Sequence, residues 1–407
     1  MALGSLDILN GVVKIVGGKL VKVYEETALL HNRLQKGTGT KLGDRGIEIP
    51  TQLTGNYNHG FMADGGEFPV GGSVLAKRAS IYFKNVAHSA RLTGAAIDSV
   101  KGGDRAYIND GLSWTLENTV KAANKMGNIY AHGVGNGRLA TISSGANSAT
   151  QTVSNTDANR FLRDGLAVQS ITPGTGAVTA SGTILNSKAS ATTFTTVAAM
   201  TTTLTSDIIV ASGSFNLAIT GMKQMVDDTT NGAVVFQGLS RTTYPAYKAF
   251  RVNAGTTGLD VSYLRRALSA GIHINVGELN RDDLEIWAHP AQVSAYSALG
   301  WNLKRFEGKS KSLDLGFTVH EYEGIGMVQD VDCDKDRIEF LDFSTFGKYV
   351  AKDYGWDDKS GAVLSRVVGT SAYKDQFEAY LTARYNYGCT APNKNAFIDG
   401  LTVPTGF

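Results

Sequence analysis

The sequence predicts an α+β fold, and three observations predict it. Glycine is abundant, 47 of 407 residues, against an ordinary usage of about 7%, and tight turns between strands are the simplest cause. Runs of β-branched and aromatic residues bounded by glycine or polar clusters recur along the chain. Helical periodicity is confined to a few segments, without the regular βαβα alternation of a nucleotide-binding sheet. Apolar residues make up 42% and charged residues 19%, so the chain can bury a substantial core. Its length suits two domains or one large elaborated one.

Residues 1–43 are expected to form an N-terminal arm. Its "GVVKIVGGKLVKVYEE" stretch suits a hairpin turning at Gly17–Gly18, or an extended arm whose apolar residues need a neighbour. The arm carries six basic and three acidic residues, and a solvated tail is the plain alternative. Residues 44–91 predict a long β-hairpin. "GIEIPTQL" and "SVLAKRASIYFKNVAHSARL" are its arms, and "FMADGGEFPVGG", Phe61–Gly72, is its tip. Neither arm has a clean apolar face, so the surface that covers the hairpin is expected outside its own domain.

Residues 92–140 predict a long helix. Leu112, Leu116, Val120 and Ala123 recur at spacings of three and four, and Ile129 and Tyr130 continue the stripe. Asn109 or Asp110 can cap its start and Gly133 can end it, giving a rod of about 30–35 Å. Residues 141–212 change in composition. Between Ile171 and Ser206 the only charged residue is Lys188, and Thr, Ser and Ala dominate. "LRDGLAVQSI", "GTILNS", "TTFTTV" and "DIIVASG" alternate like short strands, which favours a small β-barrel or sheet insertion over a flexible linker.

Residues 213–325 mix both kinds of element. "LDVSYLRRALSAGI" places Val261, Leu264, Leu268 and Ile272 on one helical side. "DLEIWAH" reads as a strand, and "PAQVSAYSALG" as a helix with Pro290 in its first turn and Gly300 at its end. Residues 326–407 supply closing strands, among them "RIEFLDF", "FEAYLTARYNYG" and "NAFIDGLTV".

The search for catalytic chemistry returns nothing. "FEGKS", Phe306–Ser310, has the last three residues of a phosphate-binding loop without its first glycine. "HEYEG" at His320 lacks the second histidine of a zinc-protease helix. In "DVDCDKD", Asp332, Asp334 and Asp336 match alternate calcium-ligand positions. Arg337 stands where the required glycine would be, and Phe343 where the glutamate would be, so a solvated acidic turn is expected. The seven histidines are scattered, and Cys333 and Cys389 are far apart. No catalytic, cofactor-binding or metal-binding residues are assigned. The net charge of +2 argues against a dedicated nucleic-acid reader or a polybasic membrane binder. No apolar run approaches the ~20 residues that span a bilayer. The N-terminus has no basic stretch before its apolar residues, and two cysteines suit a reducing compartment, so a cytosolic protein is expected.

Four stretches, in order, resemble one family. "GGEFPVGGS", Gly65–Ser73, is similar to a Gly-Gly-x-x-Pro segment in an extended loop. "GLSRTTYPAYKA", Gly238–Ala249, resembles an Arg-x-x-Tyr-Pro-x-Trp/Tyr segment. "WAHPAQVSAYSAL" resembles a strand followed by a helix. Gly361–Leu401 is similar to a closing segment with a tyrosine-containing strand and a Pro-Asn before the last strand. The family is the major capsid proteins of tailed bacteriophages, with the Hong Kong 97-like fold, and the resemblance covers Asp44 to the C-terminus.

The resemblance implies an arm, an extended loop, a spine helix, and peripheral and axial domains, with 141–212 as an insertion. It implies self-assembly into hexamers and pentamers of an icosahedral shell around double-stranded DNA. Partners would be portal and scaffolding proteins, a decoration protein, and the packaged DNA in non-specific contact. No membrane and no cofactor are implied, and the location would be the virion capsid, assembled in the host bacterial cytoplasm. The loop tip, Gly65, Gly66, Glu67, Phe68 and Pro69, would dock on the adjacent subunit, Phe68 with apolar area and Glu67 with a charge. The rival readings are an encapsulin-like nanocompartment shell, an enzyme with a site assembled from distant residues, and a β-rich adhesin or tail protein.

Overall fold

A computed structural model describes residues 28–34, 36–37, 39–42, 45–94, 105–144, 148–154, 160–190, 192–274, 283–303, 320–358, 363–369 and 373–406. The Gly17–Gly18 turn and the Phe306–Ser310 loop lie outside them. The chain is mixed α and β and mostly sheet. It divides into two compact units, one drawn from Met1–Arg33, Lys84–Ile219 and Val350–Tyr385, the other from Leu34–Phe83, Thr220–Tyr349 and Asn386–Phe407.

In the first unit a 28-residue helix, Arg105–His132, packs on the strand Lys84–Thr93. Its length is about 42 Å. It begins before Asn109 and Asp110, so neither residue caps it. At its end Gly133 N–H reaches back to Tyr130 O at 3.1 Å, a tightened last turn. The strand Lys84–Thr93 pairs antiparallel with Tyr373–Cys389, in register from Lys84 opposite Tyr385 to Thr93 opposite Gln376.

Beyond the helix, six strands close into a barrel: Arg138–Ser144, Ser148–Val153, Ala167–Ile171, Val178–Asn186, Thr193–Met200 and Ile208–Ala211. Buried apolar residues recur along these strands, with Gln151, Ser170 and Thr196 buried among them. Leu139, Ile142, Leu162, Phe194, Met200 and Ile209 are fully buried there, and Ile129 of the helix plugs the same core. Closure leaves the barrel no free sheet edge. One charge is buried within it. Asp207 accepts hydrogen bonds from Ser170 Oγ and Thr172 Oγ1 at 3.0 Å, Thr179 Oγ1 at 2.7 Å and Leu204 N at 3.0 Å. Burial alone would raise its pKa, but the four hydrogen bonds outweigh burial and hold it below the ordinary carboxylate value.

The second unit centres on a six-stranded sheet, ordered Phe250–Thr257, Ala396–Leu401, Ile338–Asp342, Leu284–Ala288, Ile325–Gln329 and His320–Tyr322. Two helices cover it. The first is α-helical over Val261–Arg265 and widens to π geometry over Arg266–His273, with Asp260 capping Ser262 N–H at 2.7 Å. Leu264, Leu268 and Ile272 enter the core, and Val261 packs at its margin. The second, Pro290–Leu303, runs past Gly300 rather than ending there.

Two sequence features acquire structural reasons here. In "GLSRTTYPAYKA", Arg241 is wholly buried. It donates to the backbone carbonyls of Met225, Ala233 and Tyr247 at 2.8, 3.1 and 3.3 Å, lies 4.5 Å from the Phe236 ring and faces Asp227 at 3.9 Å. The motif is therefore a staple gathering three separate chain segments. The "DVDCDKD" turn joins two strands as expected but is not solvated. Asp330 and Asp332 are buried, and Asp334 pairs with Lys223. Among the described residues, no group of three His, Cys, Asp or Glu side chains can hold a metal ion.

Candidate functional site

The predicted hairpin is present, and its geometry separates root from tip. Gly46–Thr54 and Leu75–Tyr82 form an antiparallel ladder from Gly46 opposite Tyr82 to Thr54 opposite Leu75. A third strand, Thr40–Leu42, flanks it. The stretch read as one returning arm is two strands. Pairing changes at Phe83, and Lys84–Thr93 belongs to the ladder with Tyr373–Cys389. The 44–91 span is thus a hairpin only as far as Tyr82, because the partner of its last eight residues, Lys84–Arg91, lies almost 300 positions downstream.

The root is fixed. Ile47, Ile81 and Tyr349 form a small buried cluster. Ser80 N–H donates to Gln237 O at 2.8 Å, and Asn386 Nδ2 to Tyr82 O at 2.8 Å. A side chain at Gly388 would meet Ile81 Cδ1 at 2.3 Å, so the strand beneath the root needs glycine there. The expectation that the whole hairpin finds its cover elsewhere is therefore corrected at the root, where its own unit buries it.

The tip is different. From Gly55 to Val74 the two arms run on without a ladder. Two asparagines bridge them: Asn56 Nδ2 donates to Gly72 O at 3.3 Å, and Asn58 Nδ2 to Val70 O at 3.0 Å. The chain reverses at Ala63–Gly66, where Gly66 N–H donates to Ala63 O at 2.9 Å. Gly65 sits there at φ +76°, in the left-handed region. Of the five residues singled out by the sequence, Gly65 and Gly66 make this turn. Glu67, Phe68 and Pro69 follow it on the returning arm, all exposed.

The side chains at the tip are large and uncovered. Phe61 is 97% exposed, Tyr57 86%, Val70 84% and Phe68 83%. Monomeric proteins rarely expose contiguous apolar patches, and these side chains make the tip the candidate interaction surface. Sequence reasoning singled out 65–69; it did not single out the exposed Tyr57, Phe61 and Val70, nor the Asn56 and Asn58 clasps. The Asn-x-Asn in "GNYNHG" was the available signal, because asparagine side chains readily bond neighbouring backbone.

Elsewhere the chemistry is quiet. Both cysteines are buried, and burial pushes the Cys389 thiol up to about 12, so it stays protonated. A cavity of about 360 Å³ in the first unit is walled by the strand Lys84–Thr93, the end of the long helix and segment 211–219. Burial lowers the pKa of its His88 and raises that of its Tyr130 to about 12, so at neutral pH both are uncharged.

No protein-family model and no curated protein sequence matches the chain. Solved structures do. The capsid protein of cyanophage A-1(L) superposes with a TM-score of 0.57 at 12% identity, over 94% of this chain and 95% of that one. The capsid chain of a GTA particle gives 0.48 at 10% identity, over 95% and 94%. The encapsulin of Synechococcus elongatus gives 0.46 at 9% identity, over 100% and 98%. The likeness to the cyanophage chain shows that this chain has a phage capsid protein fold.

Proposed function

We propose that the chain is the structural major capsid protein of a tailed double-stranded DNA bacteriophage, with the Hong Kong 97-like arrangement. Residues 1–43 are the arm, 44–91 the extended loop with its hairpin confined to 46–82, 92–140 the spine helix with the first part of the peripheral domain, and 141–212 an insertion. Residues 213–325 are the axial domain and 326–407 the closing strands. One observation carries the reading. The hairpin is rooted by buried contacts and ends in exposed aromatic side chains that its own unit leaves bare. A neighbouring copy is the cover such a tip requires. The fold shared with a cyanophage capsid chain supports this. Shell interfaces between obligate partners bury ~2,000–5,000 Å², and the net charge of +2 keeps repulsion between packed copies small.

In this reading hexamers and pentamers of the chain build an icosahedral shell in the host cytoplasm, with portal, scaffolding and decoration proteins as further partners. Packaged DNA meets the basic arm without sequence preference. No catalytic role is proposed. Electron microscopy of the purified chain tests the reading. Closed icosahedral particles are expected, and a monomer that persists in all conditions refutes it. Packaged DNA fits a capsid, whereas a foreign enzyme inside would mark a nanocompartment shell. Glu67→Ala with Phe68→Ala is expected to lower particle yield and heat stability; unchanged shells would remove the tip from the contact.

A further inference from the structure

Each chain carries an unfilled apolar socket as well as an uncovered apolar tip. The socket is the 360 Å³ cavity of the first unit, within the ordinary 300–1,000 Å³ range of binding pockets. Val86, Met126, Leu166, Leu217 and Ile219 are among the residues of its wall, and no carboxylate lines it. Lys84 lies beside the socket, its Nζ held 3.2 Å from the carbonyl of Asn216, next to the lining residue Leu217.

The tip complements these features one by one. Between Gly55 and Val74 the loop holds two acids, Asp64 and Glu67, and no lysine or arginine. Phe68 follows Glu67 directly, so an aromatic ring and a carboxylate leave the backbone side by side. Phe61 already packs edge-on against His59, with ring centroids 5.2 Å apart. Of the exposed rings Tyr57, Phe61 and Phe68, Phe68 is the one whose chain neighbour is a carboxylate.

We propose that this cavity is the socket for the loop tip of a second copy of the chain, with Phe68 as the inserted ring and Lys84 as the charge partner of Glu67. The inference rests on the shell reading above and names the receptor of its loop. Burying one phenylalanine and pairing one exposed charge form a compact anchor of the kind that dominates protein interfaces.

Disulfide trapping in assembled particles tests it. Phe68→Cys combined with Leu217→Cys is expected to give reducible dimers and higher multimers on oxidation, because the native cysteines are buried. Phe68→Cys with Leu185→Cys, on the exposed barrel wall, is expected to give none. Particles that show no ladder, an equal ladder for both pairs, or a bond within one chain overturn the socket while leaving the shell reading intact. If the unaltered chain forms no particles, both fail. A second route avoids cysteine. Ala218→Trp fills the socket and is expected to lower the shell's heat-disruption midpoint by several degrees, as Phe68→Ala does, with no further loss when the two are combined. Glu67→Lys is expected to weaken shells and Lys84→Glu to restore them in the double variant. Wild-type stability in the Ala218→Trp shell, or a double charge variant no better than the single, overturns the assignment.

Discussion

The loop tip at 55–74 and the barrel at 138–211 are both excursions poor in charge and rich in small residues, yet they solve burial in opposite ways. The barrel closes its strands on a private core of Leu139, Ile142, Leu162, Phe194, Met200 and Ile209. The tip has no ladder beyond Thr54, and its aromatic rings face outward. Composition does not separate the two. What separates them is whether apolar residues recur closely enough, on enough paired strands, to meet one another across a closed interior. Where they do, the excursion is stable by itself. Where they do not, its apolar area is available to another copy.

The sharpest way to break this contrast is to remove one phenylalanine from each region. Phe194→Ala deletes a ring with no solvent exposure, and the cavity left behind is expected to cost about 3–5 kcal/mol in urea unfolding. Phe68→Ala in the unassembled chain is expected to stay within about 0.5 kcal/mol of wild type. Its penalty is deferred to the particle. A large loss for Phe68→Ala before assembly would mean that the tip is already covered in the free chain.

Asp207 extends the contrast to pH. Its folded-state pKa is depressed, so its stabilisation is present above the unfolded carboxylate value of about 3.9 and is lost as pH falls through the lower folded value. Asp207→Asn leaves Ser170, Thr172 and Thr179 with a poorer acceptor. It is expected to cost about 1–3 kcal/mol at pH 7 and to flatten the acid limb of barrel stability. Thermal unfolding of both proteins between pH 7 and pH 2.5 measures this. Parallel pH profiles for the two would remove Asp207 from the acid response.

Much of the fold is legible because local patterns and global packing agree. The stripe Leu264, Leu268 and Ile272 enters the core as its spacing requires. The strand in "TTFTTV" alternates in burial over Thr193–Thr196, while "DIIVASG" forms a strand whose Ile208, Ile209 and Val210 are all buried. The misses have physical causes. Lys84–Thr93 continues the returning arm without a break in β-propensity, and only its distant partner at Gln376–Tyr385 assigns it to another sheet. The burial of Arg241 depends on carbonyls supplied by Met225, Ala233 and Tyr247, a long-range arrangement that no local spacing encodes. The socket is more extreme. Its walls come from residues 85–88, 126–130 and 211–219, and a void has no sequence signature at all.

The smallest expected effect is also the most specific to the tip. Asn58 joins the two arms through Val70 O at 3.0 Å, in full contact with solvent. Exposed hydrogen bonds exchange readily with water, so Asn58→Ala is expected to change global unfolding by no more than about 0.5 kcal/mol. Local opening is another quantity, because stability is not uniform across a structure. With one of two clasps removed, backbone amides between Gly55 and Val74 are expected to exchange faster in the free chain, while those of the barrel are unchanged. Assembly should then restore protection at the tip only if a neighbour covers it. Slow exchange there in the free Asn58→Ala chain would show that the arms are held by something besides the clasp. Fast exchange that persists in particles would show that the tip remains in solvent.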